Sequence, residues 1–76
     1  EKEKYCDIIK RLRVQQFYTQ QQVADILNIC QRTYADYELG YTRMPIDSLI
    51  RLARLYNVDM NYICGISNIA NVFPAS

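Results

Sequence analysis

Apolar residues fall at Tyr5, Ile8, Ile9 and Leu12, offsets of three, four and seven that place them on one stripe of an α-helix. The spacing predicts a first helix from about Lys4 to Gln16, with Lys10 and Arg11 on its other face. Val23 and Leu27 repeat the pattern with the small Ala24 beside them, leaving Gln21, Gln22 and Asp25 for solvent. This second helix starts near Gln20, because Thr19 and Gln22 form a T-x-x-Q capping box and Tyr18 and Val23 flank it as a hydrophobic staple. Asn28, a residue that tolerates a left-handed helix end, stops it. A third helix begins almost at once, since Ile29 and Tyr34 have the spacing of another staple around Cys30, itself a poor cap. Tyr34 and Tyr37 supply the buried side of that helix. Gln31, Arg32, Thr33 and Asp36 point outward.

Two helices joined by so short a turn must cross steeply, and the second then projects a polar ridge from the surface. After the polar loop Tyr41 to Met44, Pro45 marks the next start. Ile46, Leu49, Ile50, Ala53 and Tyr56 predict a fourth helix from Ile46 to Tyr56, ended by Asn57. Asp59 caps a last short helix from Met60 to Cys64, with Val58 and Ile63 as its staple and Gly65 as terminator. Residues 1–4, EKEK, are charged without pattern and are expected to fray. Ile66, Ile69, Val72 and Phe73 make residues 66–76 too apolar for a free tail, so this extension is expected to fold back on the domain or to meet a second copy. No repeat or linker interrupts the chain. The expectation is a single all-α domain of five helices over residues 5–65.

A chain of 76 residues buries only about 60% of its unfolded surface, so tight helix packing or an oligomer is expected to support it. It has no histidine, and its three cysteines (Cys6, Cys30 and Cys64) show no C-x-x-C spacing, which argues against a structural zinc site. An odd cysteine count without a signal peptide points to reduced thiols and a cytoplasmic location. The first residue is Glu1 and not methionine, so preceding residues are expected in the full protein. No apolar run approaches the roughly 20 residues of a membrane helix.

Catalysis has little to stand on. There is no histidine, no G-x-S-x-G and no phosphate-cradling glycine loop, and Asp36 and Glu38 are two apart on a helix and diverge. No cofactor is expected. Base reading, by contrast, suits the third helix. An α-helix fits the major groove, glutamine pairs bidentately with adenine and arginine with guanine. Gln31 and Arg32 stand at the N-terminal end of the third helix, the end that two helices crossing steeply over a short turn push toward base edges, and Thr33 is placed to touch a thymine methyl. Three roles stay open for Asp36: accepting from a cytosine amino group, holding Arg32, or keeping phosphate away. Gln20, first in the second helix, offers its amide and the helix N-terminus to a phosphate, or is mere surface polarity. Five of the seven tyrosines (Tyr5, Tyr34, Tyr37, Tyr56 and Tyr62) lie on apolar stripes and are expected in the core and not as stacking platforms. Cys30 is expected as a buried, inert thiol in preference to a redox group.

From Ile8 to Gly65 the chain resembles the Cro and phage-repressor helix-turn-helix family. The resemblance rests on an ordered set: Leu12-Arg13, Thr19-Gln20, Val23-Ala24, Gln31, Tyr34, Tyr37-Glu38, Gly40, Pro45, Leu49, Leu52-Ala53, Tyr56-Asn57-Val58, Tyr62-Ile63 and Gly65. It implies a compact lambda-repressor-like fold and a bacterial or phage transcriptional regulator that binds double-stranded DNA as a homodimer on palindromic operators. It further implies a structural ion pair between Arg13 and Glu38 and phosphate contacts from Tyr41, Thr42 and Arg43, although Tyr41 has packing on the fourth helix as its alternative. Phe17 stands where the family has a glycine turn and is expected partly exposed or packed at the domain edge. A net charge of only +1 gives weak support to a DNA binder, because phosphate neutralisation supplies most nonspecific affinity. Near-neutrality favours a rival reading, a protein-interaction module on the same fold such as an antitoxin or adaptor.

Overall fold

Local signals at the helix ends set the architecture. The computed structural model describes residues 4–65, and these form α1 (Tyr5–Gln15), α2 (Gln20–Leu27), α3 (Gln31–Leu39), α4 (Ile46–Tyr56) and α5 (Met60–Ile63), with no strand among them. Both ends of α1 and the C-terminal end of α5 fall one residue inside the predicted limits, because Lys4, Gln16 and Cys64 serve as caps. The capping box of α2 forms in full: Thr19 Oγ1 accepts from the Gln22 N–H at 3.1 Å, and Gln22 Oε1 accepts from the Thr19 N–H at 2.8 Å. Asp59 caps α5 by accepting from the Tyr62 N–H at 2.9 Å. The expected behaviour of residues 1–3 and of the extension 66–76 lies outside the described residues.

Left-handed residues close three of the helices. Asn28 and Asn57 adopt φ of 61° and 56° after α2 and α4, as their short amide side chains permit. Gly40 follows α3 at φ +79°, and a Cβ there would meet only Cys6 Sγ at 3.7 Å, so backbone conformation and not space demands the glycine.

The apolar stripes converge as their spacing requires. α3 packs against α1 and α2, while α5 packs against α4 and α1. Ile9, Val23, Ala24, Tyr34, Leu52, Ala53 and Ile63 lose all exposure in the shared core. Tyr37 and Tyr56 are also buried, and Tyr5, Tyr18 and Tyr62 pack half-buried on the edge of that core. The Tyr18 ring stands 6.4 Å from the Tyr56 ring, tilted by 53°. Arg11 binds the Tyr62 hydroxyl and lies 5.7 Å from the centre of its ring, fastening α5 to the outer face of α1.

Phe17 departs from expectation. Its side chain is 92% exposed and its φ is +62°, a conformation in which a non-glycine residue crowds its own backbone. Main-chain bonds close the turn, from the Phe17 N–H to Val14 O at 3.0 Å and from the Tyr18 N–H to Arg13 O at 3.1 Å, and the Phe17 side chain takes no part in it. The ring gains nothing from the fold that would offset the strain. Phe17→Gly should therefore relieve about 1–2 kcal/mol of backbone strain against about 0.5–1 kcal/mol of added chain entropy. The expected result is a melting temperature raised by a few degrees in circular dichroism, and a lowered one would show that the ring has a partner in solution.

Candidate nucleic-acid interface

Launching α3 outward requires that the end of α2 be held and the turn be tight. Only Asn28, Ile29 and Cys30 separate the two helices. The Ile29 N–H bonds Ala24 O at 3.0 Å, while its side chain packs on the core. Arg51 reaches over from α4 and donates to Ile26 O at 2.8 Å and to Leu27 O at 3.5 Å, satisfying carbonyls that a helix C-terminus leaves open. With its base fixed in this way, α3 exposes Gln31 and Arg32 at its N-terminal end, and Thr33 and Asp36 lie half-buried beside them.

The inner end of α3 is fixed by charge. Arg13 from α1 donates through Nε to Glu38 Oε2 at 2.6 Å and through Nη2 to Oε1 at 3.2 Å, and its Nη1 donates to Tyr18 O at 2.9 Å. Glu38 is the one charged residue buried among the described residues, with its side chain 2% exposed. Burial alone would raise its pKa, but hydrogen bonds from Arg13 and Gln20 and the neighbouring Tyr34 hydroxyl override that effect and hold it below the ordinary carboxylate range. The Tyr34 hydroxyl acts on the carboxylate by proximity, without hydrogen-bond geometry. Burial, with Glu38 adding to it, pushes the hydroxyls of Tyr34 and Tyr56 far up, so both stay protonated.

This network reaches the surface. Gln20 Nε2 donates to Glu38 Oε1 at 3.2 Å, and Gln31 Nε2 donates to Gln20 Oε1 at 2.8 Å. The side chains of Gln31, Gln20, Glu38 and Arg13 thus form one continuous hydrogen-bonded row from the tip of α3 to α1. Nothing in the spacing of the sequence announces the two amide links.

The other residues singled out by the sequence take distinct places. The Thr33 hydroxyl lies 3.0 Å from Cys30 Sγ, and the residue is half-buried. Among the described residues no ion pair joins Asp36 to Arg32. Tyr41, Thr42 and Arg43 are all exposed, and Tyr41, at 78%, does not pack on α4. Their loop is pinned by a contact that sequence reasoning missed, the Met44 N–H donating to the Tyr5 hydroxyl at 3.1 Å. Arg51 was missed as well, since capping between separate helices leaves no local pattern.

Cys30 corrects an expectation: it is exposed, not buried. Its thiol titrates below the ordinary value, first because of the Thr33 hydroxyl and then because of backbone N–H groups at the start of α3. A residue in the cap position ahead of an outward-facing helix end has little to bury against. Among the described residues no group of three or more His, Cys, Asp or Glu gathers to hold a metal, and no helix is long and apolar enough to cross a membrane.

A short turn feeding an outward helix with a polar tip makes this a helix-turn-helix domain. A family model for helix-turn-helix domains matches residues 9–63, and the chain belongs to that family. It is 36% identical over 64 residues to an uncharacterized HTH-type transcriptional regulator, YobD of Bacillus subtilis (strain 168), covering 84% of this chain and 57% of the relative. Over 57 residues it is 37% identical to the HTH-type transcriptional regulator ImmR of the same organism, covering 75% of this chain and 45% of that protein. The chain spans about half the length of the curated relatives it matches. Among solved structures, a transcriptional regulator from Listeria innocua superposes with a TM-score of 0.80 at 28% identity, covering 91% of this chain and 64% of that one.

The ion pair carries two measurable consequences. Glu38→Ala strands the Arg13 guanidinium and should cost about 3–5 kcal/mol, whereas Arg13→Met with Glu38→Leu should be nearly neutral. Equal losses in urea denaturation of the two proteins would remove the pair from its structural role. Because the folded pKa of Glu38 lies below its ordinary value of 4.5, its contribution is complete above that pH and is lost as pH falls through the folded value. As pH falls below 4.5 the native protein should therefore lose more stability than the double variant.

Proposed function

We propose that this chain is the sequence-reading domain of a cytoplasmic transcriptional regulator, binding double-stranded DNA with the N-terminal half of α3 in the major groove. The observation that carries this reading is the exposure of Gln31 and Arg32 on a helix end whose other end is locked to α1. Gln31 reads adenine and Arg32 reads guanine, the two bidentate pairings that major-groove geometry allows them. The Thr33 methyl meets a thymine, and Asp36, one turn beyond Arg32, accepts from a cytosine amino group. Arg43, Thr42 and Tyr41 hold phosphate from the loop after α3; because the Gln20 side-chain amide is spent on Glu38 and Gln31, the second phosphate contact falls to the N-terminus of α2, where Gln20 stands.

A single domain reading four or five base pairs through so neutral a surface binds weakly. Two copies on a palindromic operator, with half-sites about one helical turn apart, supply the missing affinity. The net charge of +1 favours one rival, a protein-docking module on this fold. Gel retardation on random duplex at low salt separates the two, since the docking module predicts no retarded band.

Substitutions distinguish reading from gripping. Gln31→Ala should cost about 1–3 kcal/mol on the selected site and relax preference at one base position. Arg43→Ala should weaken binding to all duplexes alike and lower the salt slope by about one. Binding isotherms on matched and single-base-changed duplexes at several salt concentrations measure both, and unchanged discrimination in Gln31→Ala would end the case for α3 as the reader.

A further inference from the structure

We propose that residues 66–73, which lie outside the described residues, form a helical strap of this same chain that seats in a groove on the outer face of α1. Asp7, Lys10, Arg11, Val14 and Gln15 line that groove, of about 330 Å³. They recur at offsets of three, four, seven and eight, one stripe of α1 on the side away from the buried Ile9 and Leu12. Val14 is 54% exposed there. The methylene stems of Lys10 and Arg11 add apolar surface beside it.

The point where the chain leaves α5 decides what covers the groove. Arg11, which lines it, also binds the Tyr62 hydroxyl and lies against that ring, so α5 ends beside the groove. Three residues after Tyr62, Gly65 at φ +82° turns the chain out of α5. Beyond it Ile66, Ile69, Ala70 and Phe73 fall at offsets of three, four and seven, an apolar helical stripe with Ser67, Asn68 and Asn71 on the other side and Pro74 as a stop. Eight helical residues span about 12 Å, the same length as the groove from Asp7 to Gln15. Residues 66–73 carry no charge, so no charged group has to be buried against Val14. A second copy offers the same stripe only at the cost of its translational freedom. The tethered segment is already present at a roughly millimolar effective concentration. Arg13 stands two residues beyond Arg11 on α1, so a strap across α1 also steadies the group that anchors Glu38.

Urea denaturation of full-chain variants tests this: Val14→Ser in the groove, Ile69→Ser in the strap, the two together, and Asn71→Ser as a control on the opposite stripe. Valine and serine have similar helix propensity, so without a strap Val14→Ser should shift the folding constant by less than about twofold. With the strap in place, Val14→Ser and Ile69→Ser should each lower that constant about tenfold. The double variant should lose clearly less than the product of the two losses, because both changes remove one contact. Asn71→Ser should match the native protein, and no midpoint should move with protein concentration. Losses that multiply independently would put the segment elsewhere and overturn the proposal, as would native stability in either single variant. Coupled losses with midpoints that rise with protein concentration would assign the groove to the segment of a second copy and overturn it too.

Discussion

The orientation of α3 depends on one buried charge that must not be left alone. Glu38 sits in the interior with its side chain 2% exposed, where an unpaired carboxylate would cost several kcal/mol. Only Arg13 can satisfy it with two parallel bonds, and doing so fixes the distance and rotation between α1 and α3. The third arm of the same guanidinium holds Tyr18 O, so the turn entering α2 is set by the same group. A hydrophobic contact is non-directional and would fix neither distance nor rotation. A bidentate ion pair fixes both.

The charge count reads differently once the partners are known. Arg13 is turned inward to Glu38 and contributes no free cation to the surface facing a ligand, whereas Arg51 caps the C-terminal carbonyls of α2 and stays exposed with its charge intact. The acidic Glu38 is hidden with Arg13. The exposed end of α3 and the loop after it then carry Arg32 and Arg43, with Asp36 half-buried beside them. Such a surface favours recognition by matched donors and acceptors over bulk attraction to phosphate.

Much of the fold was legible because its signals are local. The capping box at Thr19 and Gln22, the asparagines at 28 and 57 and the glycine at 40 each act within four residues, and each places a helix end within one residue of the observed one. The outward set Gln31, Arg32, Thr33 and Asp36 followed from periodicity, whereas the Arg13–Glu38 pairing came from family resemblance. What sequence could not supply were bonds between separate helices. The links of Gln20 to Glu38, Tyr5 to Met44 and Arg51 to Ile26 span 18, 39 and 25 positions and use residues that are ordinary for their own helices. Cys30 was misjudged for a related reason, since residue type favours burial while a position ahead of an outward helix opposes it.

The tyrosines leave the molecule with a built-in optical reporter. All seven lie among the described residues, six are buried or half-buried, and Tyr41 alone is exposed. With no tryptophan to draw off excitation, the ultraviolet emission that aqueous quenchers can reach comes chiefly from the loop after α3. Occupancy of that loop is therefore visible in unlabelled protein, without a dye that would perturb it.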